Sequence, residues 1–512
     1  MNTEKTIYII AGTLFASVVV SSFALIILGG KTAIMAALLV PCLVISYLFP
    51  RWGLLAFLIY LPFGGTMTYA IAGVFKAVGG GITFNKSYAV FHFAKDAFYF
   101  PAALAILISN QVLPKIFPKI RPLAIALSLL VLGCLLTFFV VNFARSLTPS
   151  QDKIVLMGII GLKIFLGYIP LILCSYYLIS NIQRLEQINR LWIVLILICC
   201  SLCIVQYLFL TTGICPGSSQ LPAPASTRAS LQAQCFVGGS LLYNPAKDLI
   251  RLPGTFVSPW QWAWFLISSV FITYGVSVSE TSRIWRWVNW LAIASVLIAT
   301  LLSGQRTALL VVPVIYLILF LLTEKQQEKL PIKLGLIAVT TIVIVTQFAI
   351  VQEAISNFID RWQYSPPQEF MAKQFQWLID YRLEWLGNGL GRTASAARRL
   401  GEIELIEVFY VKVLYEIGIL GFLAFLGVVT TLTVLTFKAY RSLKTPSLRR
   451  LGLCLWIFIL FISYNPYYYP LAVDPVAVYY WFVAGMLLKL PDLEIDHPVT
   501  ENKTLVSDTK LR

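Results

Sequence analysis

Apolar runs of about 20 residues alternate with short polar breaks along most of this chain, and each run is long enough to cross a bilayer as a helix. The runs predict helices near 7–28, 32–49, 53–73, 89–109, 122–143, 154–180, 190–211, 259–279, 284–302, 306–323, 332–351, 406–436, 450–465 and 472–489. The third run is interrupted by Pro62-Phe63-Gly64-Gly65. The interval from Ile406 to Phe437 suits a tilted span, or a span plus an interfacial turn. Two intervals break the rhythm, near 211–258 and 352–405, and both are expected to be long loops, the second partly helical. A transmembrane β-barrel would instead show short segments of alternating polarity. The expected fold is therefore all-α: a polytopic transmembrane bundle of about 12–14 helices, with boundaries good to a few residues. One membrane domain spans 1–491, and the polar tail 492–512 is expected to be disordered and cytoplasmic. The first run is longer than a signal-peptide core and lacks an A-x-A ending, so it reads as a retained helix.

Composition agrees with this pattern. The 512 residues are 59% hydrophobic and only 12% charged, with a mean hydropathy of +0.82. The net charge of +16 needs no nucleic acid to explain it, because basic residues of membrane proteins gather in cytoplasmic loops. With the N-terminus inside, Arg51, Lys115, Lys119, Arg121, Arg184, Arg190, Arg283, Arg286, Lys325, Lys329, Lys333 and the group Lys438 to Arg450 fall on one side with the C-terminus. Lys31, Lys76, Lys86, Arg145, Lys153 and Arg306 fall in short loops on the other. That is about 21 basic residues against about 6, which predicts cytoplasmic termini and extracytoplasmic long loops.

Long loops translocate largely regardless of charge, so their own residues call for another explanation. The first holds Cys215 and Cys235, while the other seven cysteines sit in apolar runs as small packing residues. The pair either forms a disulfide, worth about 3 kcal/mol for so short a loop, or stays as two thiols. The polar stretch from Arg361 to Gly421 carries Arg361, Arg382, Arg392, Arg398 and Arg399, the acids Glu402, Glu404 and Glu407, and the turn Gly387-Asn388-Gly389-Leu390-Gly391. That turn fits no nucleotide-binding fingerprint and reads as a site of close backbone approach.

Arg306, in the turn Ser303-Gly304-Gln305-Arg306, lies beside a helix N-terminus, where it either grips a phosphate or snorkels to lipid headgroups. Arg251 precedes Leu252-Pro253-Gly254-Thr255-Phe256 at the same rim. Trp260, Trp262 and Trp264 then read as an interfacial belt or as sugar-stacking rings. Glu407 either compensates a helix dipole or acts as a base. Glu416, inside an apolar helix, expects Lys412 as its partner. His92, Lys95, Asp96 and Lys163 are further ionisable groups at the rim or at membrane depth. With His92 and His497 as the only histidines, no histidine metal site is expected.

Taken together, Arg251 to Phe256, Ser303 to Arg306, Gly387 to Gly391 and Glu407 to Gly421 resemble, in kind and order, the O-antigen ligase and O-antigen polymerase superfamily of bacterial envelope glycan assembly. The resemblance covers roughly Arg251 to Gly421. It implies a cofactor-free, metal-independent glycosyltransferase at the outer face of the bacterial plasma membrane. The donor would be an undecaprenyl-diphosphate-linked oligosaccharide, and a glycan would be the acceptor. Arg251 and Arg306 would hold the diphosphate, with Arg392 as a third candidate, and Glu407 and Arg306 would be catalytic. Ligases of the family carry a histidine where this chain has Glu407, which points to a polymerase of repeat units. Two alternatives stand beside it. One is a ligase that transfers finished glycan to lipid A core or protein. The other is a transporter of an anion such as bicarbonate, which should show broken helices in two related halves. Pro62-Gly64-Gly65 supplies one break, with no matching second in the sequence.

Overall fold

The computed structural model describes residues 3–496 other than 74, 79–80, 85–87, 110, 149–150, 325–326, 365 and 469. The chain opens with α1 (Thr3–Leu28), α2 (Gly30–Leu48) and α3 (Pro50–Tyr60), which continues through a 3-10 turn (Leu61–Phe63) into a π-helical segment (Thr66–Ile71). A hairpin of β1 (Phe75–Val78) and β2 (Gly81–Phe84) leads to α4 (Tyr88–His92) and α5 (Asp96–Ser109). Next come α6 (Leu113–Leu136), a π segment (Thr137–Phe143), α7 (Ala144–Ser146), α8 (Ile154–Leu166), α9 (Leu171–Leu178) and α10 (Ile182–Thr211). After the first long loop, with its hairpin of β3 (Leu242–Asn244) and β4 (Leu249–Arg251), follow α11 (Pro259–Ser279), α12 (Arg283–Leu302), α13 (Arg306–Thr323) and α14 (Leu330–Gln347). The second long loop contains α15 (Ala349–Tyr364) and α16 (Pro367–Tyr381). The chain then forms α17 (Phe409–Ser442), α18 (Pro446–Tyr464) and α19 (Val476–Asp496).

Eleven helices among the described residues are long and apolar enough to cross a membrane, or up to twelve if the bent pair α8–α9 is one span. The protein is therefore a multi-pass, all-α membrane protein. Its burial pattern fits a bilayer. Side chains such as Phe15 and Ile26 on α1 are 73% and 82% exposed, which water would not tolerate over so wide a surface but lipid does. In the middle, α11 and α19 are mostly buried, and Trp192, Trp262, Phe265, Phe271, Tyr479 and Phe482 form their aromatic core.

Each predicted run has a helical counterpart, with some differences. The third and fourth runs are broken into short pieces, and the sixth bends by 43° between α8 and α9. The last helix reaches Asp496, so 492–496 is helical rather than tail; 497–512 lies outside the described residues, as do the loop lysines Lys86 and Lys325. The long interval after Ile406 is one 34-residue helix, α17, broken at Gly418, whose φ of 67° leaves the helical region.

In the first long loop, Cys215 and Cys235 are disulfide-bonded. Gln206 of α10 fastens this bridge to the bundle by donating to the carbonyls of Cys235 (2.9 Å) and Val237 (2.6 Å). Six of the other cysteines are buried and Cys42 is half-buried.

Candidate functional site

Arg251 ends β4, and one residue later Leu252 N–H donates to the Ser303 carbonyl at 3.0 Å. This bond joins the two sequence motifs directly. Gly304 has a φ of 63° and lies flat on the Ile250 backbone, where any side chain would collide. The turn can therefore press against the hairpin and start α13 at Arg306. From the other side, Thr255 Oγ1 donates to the Pro62 carbonyl (2.6 Å) and Thr66 N–H donates to the Thr255 carbonyl (3.1 Å). Gly65 packs against the Phe256 backbone. The interruption after α3 is thus a notch that receives the segment following Arg251.

Glu407 stands two residues before α17. Its own N–H and that of Val408 both donate to Oε1 of Gln374 on α16, each at 3.0 Å. Val408 bridges to Tyr467, and Phe409 N–H donates to the Pro466 carbonyl at 2.7 Å. This short pairing delivers Tyr467 and Tyr468, whose ring centroids are 4.5 Å apart. The Arg306 guanidinium acts on the Tyr467 phenol, favouring its ionised form. Phe370 of α16 stacks over Tyr468 at 6.4 Å, so α16 roofs the cluster. Tyr468 has a φ of 54°, a strained backbone conformation for an aromatic residue and one that tends to collect at functional positions.

The charges act on one another. Arg251 keeps much of its surface exposed, yet the protein crowding its guanidinium lowers its pKa, with Arg306 adding to the effect and Tyr468, Glu407 and Tyr467 opposing it. As a guanidinium it stays cationic. Burial raises the Glu407 carboxyl above the usual glutamate value, against the pull of Arg251 and Arg306. Burial also pushes Tyr467 up to about 12, so its phenol stays protonated. Two guanidiniums, one half-buried carboxyl and a neutral phenol therefore share one place.

Comparison with protein-family models and with curated proteins gave no match in either. What this cluster does must be read from its own chemistry.

Arg392 is not part of the cluster. Its guanidinium lies 3.9 Å from Asp152, beside α8. The cause is the preceding glycine turn, in which Gly391 packs on the Met157 backbone and points Arg392 that way. The turn itself is a plug. Asn388 N–H and Gly389 N–H donate to the Tyr415 (2.7 Å) and Glu416 (3.2 Å) carbonyls at the break in α17. Leu390 N–H donates to Asn142 Oδ1 at 2.8 Å, and Gly391 N–H to Glu416 Oε2 at 2.9 Å. Arg145 donates to the Asn388 carbonyl at 2.7 Å. With these amides committed, the turn cradles no phosphate. Glu416 and Lys412, expected as a pair, both converge on Thr393: Glu416 accepts from its N–H (2.8 Å) and hydroxyl, and Lys412 Nζ donates to its carbonyl (3.0 Å).

Trp262 and Trp264 are core residues, 0% and 2% exposed, so they form neither an interfacial belt nor a sugar platform. Trp262 lies under Gly254 and packs on Phe256 and Phe265. Gln374, Tyr467 and Tyr468 escaped sequence reasoning. The aromatic run between α18 and α19 was a signal, since rings concentrated in a short rim loop need a partner; Gln374 had none.

Proposed function

We propose that the protein is a glycosyltransferase that uses a polyprenyl-diphosphate-linked glycan as donor at the extracytoplasmic face of a bacterial plasma membrane, most simply a polymerase of glycan repeat units. The observation that carries this reading is the meeting of Arg251, Arg306 and Glu407 from three distant stretches of chain. An acceptor hydroxyl hydrogen-bonds to Glu407 and gives it a proton. The hydroxyl oxygen attacks the anomeric carbon, the bond from that carbon to the diphosphate oxygen breaks, and its electron pair leaves with the diphosphate. Arg251 and Arg306 face the charge that develops there, and a fork of parallel N–H donors suits phosphate oxygens. A carboxyl raised by burial is a stronger base than an exposed one and therefore a better proton acceptor near neutral pH. The Tyr467 phenol stands beside that guanidinium as a neutral neighbour.

Two packed helix breaks weigh against the transporter alternative. The break after α3 is filled by Thr255 and Phe256, and the break in α17 by the glycine turn, so neither lines an open path. The deciding experiment is polymer synthesis by cells carrying Arg306→Ala. We expect no long polymer although the protein is inserted at normal levels; normal chain lengths would rule out the proposal. Surface glycan still attached to lipid carrier, rather than to lipid A core or protein, separates a polymerase from a ligase.

A further inference from the structure

We infer that the cavity behind Arg306 is a sugar-binding subsite for the glycan unit next to the reacting diphosphate, selective for uncharged or amino sugars. This rests on the glycosyltransferase reading and adds the place and class of the sugar. The cavity holds about 280 Å³, near the lower end of small-molecule sites. It lies between the β3–β4 hairpin, the turn from α12 into α13, and α15. Its wall combines the rings of Tyr243 and Phe358 with the carboxylates of Asp248 and Glu353, the amide of Gln305, and Arg306 itself. Aromatic faces cover the C–H face of a pyranose, while carboxylates accept hydrogen bonds from hydroxyl or ammonium groups.

The carboxylates also favour a polar occupant: an isoprenoid chain would take water from Asp248 and Glu353 without pairing them. The same two carboxylates repel uronic acids and other acidic sugars. Because Arg306 belongs both to the cavity wall and to the Arg251–Glu407 cluster, a sugar held here has its diphosphate within reach of both guanidiniums.

The test compares two probes on the purified full-length protein in lipid nanodiscs: bare undecaprenyl diphosphate, and the lipid-linked oligosaccharide extracted from cells that make it. Asp248→Asn and Glu353→Gln keep side-chain shape, and Ala354→Phe fills the cavity from α15. We expect all three to weaken binding of the sugar-bearing lipid about tenfold or more while leaving bare undecaprenyl diphosphate unchanged, with thermal unfolding as in the unsubstituted protein. Unchanged affinity for the sugar-bearing lipid overturns the subsite, and equal weakening of both probes reassigns the cavity to the isoprenoid chain. If Arg306→Ala alters binding of neither lipid, the glycosyltransferase reading itself fails, which is a separate outcome.

Discussion

Two clusters of charged side chains lie within this apolar bundle, and they are built on opposite principles. In the first, Lys95 pairs with Asp474 and Lys163 with Asp96. The Lys163 ammonium sits 4.6 Å from the Phe93 ring centroid. Burial, then Lys95, pushes neighbouring His92 down to about 3, so it stays neutral. Two cations meet two anions, and the sum is zero. In the second, Arg251, Arg306 and Glu407 act on one another and the trio carries a net positive charge, with Asp248 and Glu353 lining the cavity behind Arg306. Charges that hold a membrane fold together must be balanced from within, because lipid offers no counterion. A surplus is tolerable where a ligand supplies the missing charge. A departing diphosphate has the right sign and, in its paired oxygens, the right shape for two guanidiniums.

The strongest test of this contrast is Arg306→Ala, which should cut glycan transfer about 100-fold or more with little loss of folded protein, the scale of removing one donor from a developing oxyanion. Arg306→Lys should recover only part of the activity, since an ammonium cannot bind in two-pronged fashion. Transfer by membranes with matched amounts of protein checks both.

In the balanced cluster the outcome should reverse. Asp474→Ala should leave Lys95 unpaired and cost on the order of 3 kcal/mol of stability, read by thermal unfolding in detergent. Lys95→Met combined with Asp474→Leu should restore much of that loss, and activity per folded molecule should hold. Burial alone would raise Asp474, but Lys95 overrides it and holds the carboxyl below its usual value. The pair therefore stabilises the fold above the ordinary aspartate pKa, and that contribution disappears as pH falls through the depressed one.

A smaller effect separates the site from its surroundings by pH. Transfer needs Glu407 deprotonated, so activity should fall as pH drops through a pKa above the ordinary glutamate value. Arg251→Ala removes a cation that favours the carboxylate, and should move this acidic limb further upward in whatever activity remains. An unmoved limb would take Glu407 out of the chemistry.

The smallest change is at Gln374, whose side-chain oxygen accepts from two backbone N–H groups. Gln374→Leu should leave the N–H groups of Glu407 and Val408 without their acceptor and lower turnover severalfold, with donor affinity little altered. Gln374→Glu keeps an acceptor but adds a negative charge, and should shift the acidic limb upward. Full turnover by the leucine variant would make α16 a cover only.

Which parts were legible from sequence follows from physics. The helices were, because lipid forces backbone polar groups to pair within each segment and leaves long apolar runs as a signature. Arg251, Arg306 and Glu407 stood out because charge at a membrane rim is costly. Arg392 stood out for the same reason and was misplaced, because the packing of Gly391 on Met157 sets its direction and neighbour lists cannot be read along a chain. Trp262 and Trp264 were misjudged similarly: tryptophans at a helix start suit a belt or a sugar platform, but α11 runs through the core. Gln374 was invisible because one glutamine on an amphipathic helix looks like any other until its partner's backbone is in place.

The most direct measurement is a structure of the purified protein in nanodiscs with undecaprenyl diphosphate. We expect both phosphates between the Arg251 and Arg306 guanidiniums, with the Glu407 carboxylate on the side from which an acceptor would approach. Phosphates bound elsewhere, at Arg392 for instance, or two arginines turned away from each other with lipid headgroups as their only partners, would contradict it.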